Sequence, residues 1–501
     1  MIITGTTYSV AHYDEYRKGN SNIFEEIIDS MVLDGVAGMN ESFKNAISSL
    51  PIREKRLAIL SLLDKDLNLF KKIKSFIKSE KLSKIDHLKE VILMLREYVK
   101  VGEVEKKKFG EVMTDLNLTK HILSRIPKEA FENPVNTFVD LANGTGVFPL
   151  IIIYRLMIGL EKWQPDPELR YKHIIENQIF VSEIQPKNMF LYMCLVDPYD
   201  EYKLNIYTGS SLEEGFRKHM KEVWNVNSFN YSVGNPPFNQ MIDMKFVRLS
   251  YEIADVTCIV HPSTWLLDEK GRQKKFTETK ELVKDHLESI ELFNGNKIFG
   301  IQLFVPCVIT YINKTKIIAV IKCVDKINDV EISYDNIYQI NKYSNRELYL
   351  TLKEKIFNHT KNDNLYKRLL NDKGGDFYVN LSQIRGHVDL NSNKIMVKPD
   401  FYTMVTKDLK PTKLPRKQRE KTQASFNTIE ESNNLISYVK TNFARFCLSL
   451  NKNNQNLYCG EMEMIPWLDF TKEWTDEKLY KEFDLTEEEI KFIEENIPKY
   501  Y

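Results

Sequence analysis

Between about residues 106 and 325, short apolar runs typical of strands alternate with longer stretches typical of helices. The seven runs cover residues 137–141, 178–184, 204–212, 229–234, 256–260, 290–293 and 303–312. Strands that alternate with helices favour a doubly wound sheet in which most neighbouring strands are parallel. The pattern therefore predicts an α/β domain with a seven-stranded, mostly parallel sheet, whose ligands would lie at the carboxyl ends of the strands.

The segments on either side of this domain have other patterns. Residues 1–105 are charged and carry apolar residues at helical spacing, which predicts a helical N-terminal domain. Residues 326–424 carry short strand-like runs between polar turns, which predict a mixed α+β region. Helical spacing returns in residues 425–501, where one helix is predicted over 430–446 and Thr486, followed by three acidic residues, predicts the start of another.

Composition limits the classes of protein that need to be considered. The chain has 501 residues, which predicts two to four domains. Its 70 basic and 70 acidic residues balance, which excludes a uniformly basic nucleic-acid binder but not a local basic face. The six cysteines form no C-x-x-C pair, so we expect no bound metal and a reducing compartment. Because the chain has neither a long apolar stretch nor a signal peptide, we expect no membrane partner and a cytoplasmic location.

The stretch Asn235-Pro236-Pro237-Phe238, directly after a predicted strand, carries the most specific chemistry of the chain. Proline has no N–H, so this turn offers hydrogen-bond acceptors without competing donors. The side-chain oxygen of Asn235 and the carbonyl oxygen of Pro236 can accept from one amino group, and Phe238 can stack on a heteroaromatic ring. Such bonds pull an amino nitrogen toward tetrahedral geometry and free its lone pair, which predicts group transfer to that nitrogen. The alternative is an ordinary Pro-Pro turn between a strand and a helix.

A second constellation lies about a hundred residues upstream, where the first predicted strand runs into a glycine-containing turn and then an apolar stretch. Gly144 and Gly146 would let the backbone approach a ligand beside a helix N-terminus. The next strand ends in Glu183, whose carboxylate can accept from both hydroxyls of a ribose. A strand-end acid such as Asp140 or Glu183 usually only faces solvent. Their occurrence in consecutive strand–helix units with the Asn-Pro-Pro-Phe turn favours a cofactor site beside a catalytic turn.

These motifs resemble those of the DNA amino-methyltransferases of restriction–modification systems, and specifically the gamma class, in which the cofactor motifs precede the catalytic tetrapeptide. The resemblance implies a Rossmann-like methyltransferase domain over residues 106–325, a target-recognition domain over 326–424, and a helical C-terminal part of the recognition region over 425–501. It also implies S-adenosyl-L-methionine as the cofactor. The activity it implies is site-specific methyl transfer to N6 of an adenine flipped out of duplex DNA.

The same resemblance implies roles for individual residues. The cofactor-binding positions are Thr114, Asp140, Ala142, Gly144, Gly146, Glu183, Ile184 and Ser210. Among them, Thr114 would border the methionine part, Glu183 would bind the ribose and Ile184 would pack on the adenine. The catalytic positions are Asn235, Pro236, Pro237 and Phe238, and Phe299 would form a second wall of the target-base pocket. The family usually has Asp where this chain has Ser210, and because hydrogen bonds to charged groups are stronger, we expect intact chemistry with weaker cofactor binding.

Basic residues cluster between residues 394 and 421, in the segment that the resemblance gives to target recognition. The candidates for DNA phosphate contact are Lys410, Lys413, Arg416, Lys417 and Arg419. An ordinary solvated face is the alternative for this cluster. The partners that we expect are double-stranded DNA and, as an open question, a companion restriction endonuclease.

The residues leave other functions open. Cytosine N4, a base in RNA and a protein glutamine amide all present a planar amine to the same turn. Asn as the first residue of the tetrapeptide favours adenine in the family, whereas cytosine-N4 enzymes more often have Ser there. The glutamine enzymes are shorter and lack a large C-terminal region. The remaining alternatives are a catalytically idle DNA-binding or assembly subunit and the methylase part of a fused restriction enzyme, although residues 1–105 show no nuclease constellation.

Overall fold

The structure is a computed structural model, and it divides the chain into two compact units. It describes residues 54, 57–58, 84–96, 114, 116–198, 201–238, 241–268, 274–299, 306–341, 343, 345–370, 375–381, 423–451 and 459–497. The first unit takes its residues from Met1–His261, Asp285–Ser289 and Ile309–Ile318. The second takes them from Pro262–Lys284, Ile290–Val308 and Ala319–Tyr501. The domain boundaries predicted near residues 105, 325 and 424 stay predictions.

Helices and strands alternate through the first two thirds of the described residues. The strands are β1 (Phe138–Asp140), β2 (Ile179–Glu183), β3 (Asn205–Thr208), β4 (Phe229–Gly234), β5 (Ala254–Pro262), β6 (Leu287–Phe293), β7 (Cys307–Asn313), β8 (Ile321–Asp325), β9 (Val330–Tyr334), β10 (Phe377–Asn380) and β11 (Gln423–Phe426). The helices are α1 (Lys84–Arg96), α2 (Leu116–Leu123), α3 (Val147–Gly159), α4 (Pro167–His173), α5 (Pro186–Val196), α6 (Glu214–Glu222), α7 (Ile242–Ile253), α8 (Lys274–Val283), α9 (Gly295–Phe299), α10 (Arg346–Thr360), α11 (Leu365–Leu370), α12 (Ile429–Lys440), α13 (Asn442–Asn451), α14 (Asp476–Glu482) and α15 (Glu487–Asn496).

One large, mostly parallel sheet organises these elements, as the alternating pattern predicts. Its strand order is β3-β2-β1-β4-β5-β7-β6-β8-β9. The pairs β2–β3, β1–β2, β1–β4 and β4–β5 are parallel. Strand β7 runs antiparallel to β5, because the N–H of Lys314 donates to the carbonyl of Asp255 and the N–H of Ser263 donates to that of Pro306.

The seven predicted strands are all present, but the described sheet has nine strands, so the predicted count is wrong. The two additional strands are the antiparallel hairpin β8–β9. In β9 only Tyr334 is buried, and the other four residues are exposed or half-buried. An edge strand with so few buried positions has no apolar run, and a search for continuous apolar runs therefore misses it.

The register of the central strands brings three chain turns to one edge of the sheet. Phe138 at the start of β1 pairs with Ile179 of β2 on one side and with Tyr231 of β4 on the other. All three strands are parallel, so their carboxyl ends lie side by side. The residues at or near those ends, Asp140, Glu183 and Gly234, are the positions from which the site is built.

In the first unit, helix α1 is attached by a buried lysine. The side chain of Lys84 is 7% exposed, and its ammonium lies 4.8 Å from the ring centroid of Tyr202 and 5.1 Å from that of Tyr171. The carboxylates of Glu201 and Glu168 approach the same ammonium to 3.5 and 3.7 Å. Two rings and two acids around one cation compensate for its removal from water.

Replacing Lys84 by methionine is expected to lower the free energy of unfolding by about 1–2 kcal/mol, because the cation–π contacts and both ion pairs are lost while the apolar stem remains. Lys89→Met is the matched control: Lys89 lies on the same helix, is exposed and pairs only with Asp86 in the described contacts. It should cost less than about 0.5 kcal/mol. Urea unfolding of both variants checks this, and equal effects would contradict the role given to Lys84.

The second unit has its own core and corrects one sequence-based prediction. The single helix predicted over residues 430–446 is two helices, α12 and α13, which meet at Thr441. The carboxylate of Asp476 accepts from the N–H groups of Asn442 and Phe443 at 3.0 and 2.8 Å, and the hydroxyl of Thr441 accepts from that of Ala444 at 3.1 Å. These contacts satisfy the free N–H groups of a new helix start, so the chain breaks there.

The other predicted helix start in this region is confirmed. The side chain of Thr486 accepts from the N–H of Glu489, and the carboxylate of Glu489 accepts from the N–H of Thr486 at 2.8 Å. This reciprocal pair is a capping box at the start of α15. Five of the six cysteines, Cys194, Cys258, Cys307, Cys323 and Cys447, are buried and form no disulfide bond. Among the described residues, no His, Cys, Asp and Glu side chains form a group that could hold a metal ion, and no helix is long and apolar enough to span a membrane.

Candidate active site

The connection between β1 and α3 is a tight turn that two glycines in left-handed conformations make possible. Gly144 has φ = +54° and Gly146 has φ = +92°, where residues with a side chain are disfavoured. The N–H of Asn143 donates to the carbonyl of Ser182 at 2.9 Å, and that of Gly146 donates back to the carbonyl of Asn143 at 3.0 Å. The turn is therefore tied to the end of β2.

The two glycines have different surroundings. A Cβ on Gly146 would lie 2.4 Å from Cδ2 of Tyr192, whose ring is buried in α5. A Cβ on Gly144 would meet no heavy atom within 4 Å. Packing thus requires glycine at position 146, whereas Gly144 borders open space in which a ligand can approach the backbone.

Both carboxylate oxygens of Glu183, at the end of β2, accept backbone hydrogen bonds, and one of these bonds comes from this turn. Oε2 accepts from the N–H of Gly144 at 2.7 Å, and Oε1 accepts from the N–H of Gln185 at 2.7 Å. The side chain is buried, with 5% of the residue exposed. Each carboxylate oxygen can accept more than one hydrogen bond, so Glu183 can accept from two hydroxyls of a ligand while it holds the turn.

Asp140 at the end of β1 is more deeply buried, and strand β4 passes directly against it. Oδ1 accepts from the N–H of Ala142 at 3.1 Å, and a Cβ on Gly234 would lie 2.7 Å from that oxygen. Burial raises the pKa of the Asp140 carboxyl to about 7, although the hydrogen bond from Ala142 opposes the shift. A carboxyl in this position is costly to keep ionised, which is typical of a site rather than of the core.

The Asn-Pro-Pro-Phe turn lies at the carboxyl end of β4, next to the glycine turn. One small cleft is lined by Asp140, Ala142, Gly234, Asn235 and Pro236. The side-chain amide of Asn235 donates from Nδ2 to the hydroxyl of Thr114 at 2.9 Å. The structure thus brings together residues from three segments of the sequence. Pro237 and Phe238 continue the turn and are half-buried.

The remaining predicted cofactor positions lie at the ends of β2 and β3. Ile184 is 53% exposed directly after Glu183, so its apolar side chain is available to a ligand. The N–H of Gly209 donates to the carbonyl of Glu183 at 2.9 Å, which ties the end of β3 to the end of β2. Ser210 follows, and its hydroxyl accepts from the N–H of Leu212 at 3.3 Å. The hydroxyl retains a donor and a second acceptor lone pair for other contacts.

Within residues 140–146, three buried oxygen atoms have no hydrogen-bond partner among the described residues: Oδ2 of Asp140, Oδ1 of Asn143 and Oγ1 of Thr145. A buried acceptor without a donor costs about 1–3 kcal/mol, so such atoms indicate where donor groups of a ligand would be favourable. The sequence did not single out Asn143 or Thr145 for a contact. Their position next to Gly144 was the signal available, since every residue of so short a turn lies close to whatever the turn binds.

Phe299 and the predicted DNA contacts are not among the described residues that line this cleft. Phe299 belongs to the second unit, where it is buried and its ring centroid lies 6.4 Å from that of Phe293. Its role in a target-base pocket stays a prediction. The predicted DNA contacts lie outside the described residues, namely Lys410, Lys413, Arg416, Lys417 and Arg419.

No family model matches the sequence, and no curated protein matches it. Among solved structures, the chain is similar to a protein described as the modification subunit of a type I restriction enzyme from Vibrio vulnificus, at 17% identity and a TM-score of 0.37. That alignment covers 55% of this chain and 60% of the other. A type I restriction–modification methyltransferase subunit from Streptococcus thermophilus aligns at 12% identity over 68% of this chain and 72% of its own, with a TM-score of 0.38.

A protein described as an RNA methyltransferase from Pyrococcus horikoshii aligns at 16% identity and a TM-score of 0.29, over 46% of this chain and all of its own. Similarity at this level establishes neither the fold nor the activity of the chain. The proposed function therefore rests on the residues of the cleft.

The buried Asp140 predicts a pH dependence of stability. An aspartate in the unfolded chain has a pKa of about 3.9, so with a folded pKa of about 7 the folded state holds the extra proton between these values. The free energy of unfolding therefore falls as pH rises from about 4 to 7. Asp140→Asn has no such proton to lose, and it should be more stable than the native chain at pH 8 by roughly 2–4 kcal/mol and nearly equal to it at pH 4.

Urea unfolding at pH 4 and pH 8 measures this difference. The pKa of Asp243 is also raised to about 7 by burial, so the variant keeps the part of the pH dependence that Asp243 contributes. A variant that gains no stability at pH 8 would show that Asp140 is not held in an unfavourable environment.

Proposed function

We propose that this chain is a DNA methyltransferase that transfers the methyl group of S-adenosyl-L-methionine to N6 of an adenine flipped out of duplex DNA. The observation that carries the proposal is the shared cleft, in which Asp140 and Ala142 of the glycine turn face Asn235 and Pro236. A glycine turn alone suits many nucleotide-like ligands, and an Asn-Pro-Pro-Phe turn alone suits many amines. Their occurrence in one cleft fits a reaction between the two.

The chain's residues suit this cofactor. Glu183 would accept from the ribose hydroxyls, and the exposed Ile184 would cover one face of the adenine. Ser210 would accept from the adenine amine. The open space beside the backbone of Gly144 leaves room for the rest of the cofactor, which Thr114, Asp140 and Ala142 would border. When bound, the cofactor supplies an electrophilic methyl group on a positively charged sulfur.

The Asn-Pro-Pro-Phe turn would hold the target amine. Oδ1 of Asn235 and the carbonyl oxygen of Pro236 accept from its two N–H groups, which frees the nitrogen lone pair. The proton of the new N–C product leaves after bond formation, so no strong base is needed at the site. Phe238 stacks on the base, and Pro237 stiffens the turn. An adenine in a duplex is paired through this amine, so it has to leave the helix before it can be bound in this way.

DNA contact is proposed for the basic cluster near residues 394–421, which would neutralise backbone phosphates beside the target. Phe299 is proposed as the second wall of the base pocket. A companion restriction endonuclease would complete the system, and the cytoplasm is the proposed location.

The test is incubation of the purified chain with unmodified double-stranded DNA of mixed sequence and S-adenosyl-L-methionine, followed by mass spectrometry of the released nucleosides. N6-methyldeoxyadenosine is the expected product. N4-methyldeoxycytidine, or methylation of RNA only, would replace the substrate in the proposal. Calorimetry at millimolar S-adenosyl-L-methionine separates an idle subunit, which would show no binding heat, from an enzyme that lacks its DNA sequence.

A further inference from the structure

The side chains of Asn235 and Thr114 form a hydrogen bond that bears on the chemistry of the site. Nδ2 of Asn235 donates to Oγ1 of Thr114 at 2.9 Å, across 121 positions of sequence. Thr114 is 7% exposed, so bulk water does not compete freely for its hydroxyl. The carboxamide is planar, and a hydrogen bond on its nitrogen fixes the plane in which its oxygen lies.

Thr114 precedes helix α2, which packs in the core. It lies two residues before α2 begins, and Leu116, Leu118, Ile122 and Leu123 of that helix are buried. The guanidinium of Arg155 donates to the carbonyl of Leu123 at 2.7 Å, and the thiol of Cys258 in β5 donates to the carbonyl of Ile122 at 3.5 Å. The carboxyl end of α2 is therefore attached to α3 and β5.

This geometry matters for a residue that must accept a hydrogen bond through its oxygen. An amide that donates through its nitrogen is polarised, which makes its oxygen a better acceptor. An amide free to rotate spends part of its time with nitrogen toward the substrate, where it would oppose another amine. In the structure Nδ2 is the atom bonded to the hydroxyl of Thr114, so Oδ1 is the amide atom that does not contact Thr114.

We propose that Thr114 is a positioning residue that orients the carboxamide of Asn235 for the target amine, rather than only a neighbour of the cofactor. The proposal rests on the proposed function. It makes Thr114 act on the rate of transfer at saturating cofactor, whereas a cofactor contact would act on cofactor affinity.

Thr114→Val tests it, because valine keeps the shape of threonine and removes the acceptor. Transfer of labelled methyl from S-adenosyl-L-methionine to mixed-sequence duplex DNA should slow by about 10- to 100-fold at saturating cofactor, since misplacement of a reacting group by a fraction of an ångström has effects of this size. The calorimetric Kd for S-adenosyl-L-methionine should change less than about threefold. Thr114→Ser keeps the hydroxyl and should transfer methyl within about threefold of the native rate.

A double-mutant cycle isolates the contact. In the Asn235→Ser background there is no amide to orient, so adding Thr114→Val should change the residual single-turnover rate by less than about twofold. Thr114→Ala serves in place of the valine variant if thermal unfolding shows that the latter is misfolded.

The outcomes are distinct. A native chain that methylates no DNA would remove the proposed function and this inference with it. A native chain that is active, with a valine variant that retains its rate, would overturn the inference alone. So would a valine variant whose loss is restored by more cofactor, a serine variant as slow as valine, or an undiminished valine effect in the Asn235→Ser background.

Discussion

Asn235→Ala is expected to lower the rate of methyl transfer by about 10²- to 10³-fold or more, because it removes one of the two acceptors that would hold the target amine. The affinity for S-adenosyl-L-methionine should stay within about threefold, since the glycine turn and Glu183 remain. Labelled methyl transfer to duplex DNA measures the first quantity and calorimetry the second.

Asn230→Ala is the matched control, because Asn230 lies near the start of β4 and Asn235 directly after its end. The side chain of Asn230 accepts from the N–H of Thr137 at 2.9 Å and donates to Asp255 at 3.3 Å. Its loss should cost about 1–2 kcal/mol of stability, while transfer per folded molecule is retained. If Asn235→Ala transferred methyl as fast as the control, the amine-holding mechanism would have to be abandoned.

The second large effect is expected from replacing each glycine of the cofactor turn by alanine. Gly146→Ala should mainly lower stability, and Gly144→Ala should mainly lower cofactor affinity. Gly146→Ala places a Cβ 2.4 Å from Cδ2 of Tyr192 at φ = +92°, so steric overlap and backbone strain add. The free energy of unfolding should fall by about 2–5 kcal/mol. Gly144→Ala at φ = +54° meets no atom within 4 Å and should cost only about 1 kcal/mol.

Cofactor binding should be weakened in Gly144→Ala, although this variant is the more stable of the two. The Cβ of Gly144→Ala would project into the open space beside the turn, and binding of S-adenosyl-L-methionine should weaken by about tenfold or more in a chain that is still folded. Urea unfolding and calorimetry on both variants measure the two effects. If Gly144→Ala bound the cofactor as well as the native chain, the space beside that residue would not be the cofactor's.

Local sequence was enough to find the central strands and the chain positions at their ends. β1 and β2 are buried along their whole length in a parallel sheet, and such strands appear in the sequence as mostly apolar runs. Once these strands are located, the candidate site residues are those at the strand ends, namely Asp140, Glu183 and the Asn-Pro-Pro-Phe turn. The parallel arrangement that the pattern predicts already requires those ends to meet at one edge.

Other features depend on contacts between distant residues, and sequence patterns do not record these. The break between α12 and α13 depends on Asp476, more than 30 residues away, which accepts from the first N–H groups of α13. The edge strand β9 is defined by pairing with β8 and not by its own mostly polar sequence.

The amino-acid sequence by itself determined that the chain has an α/β sheet with a glycine turn and an Asn-Pro-Pro-Phe turn at strand ends, because burial and turn chemistry are local properties. Only the tertiary structure decided that Asp140 and Ala142 share a cleft with Asn235 and Pro236. It also decided that Gly146 is packed on Tyr192 while Gly144 is open, and that the amide of Asn235 donates to Thr114. Those facts are distances between atoms far apart in the chain, and the packing of the helices on the sheet sets them.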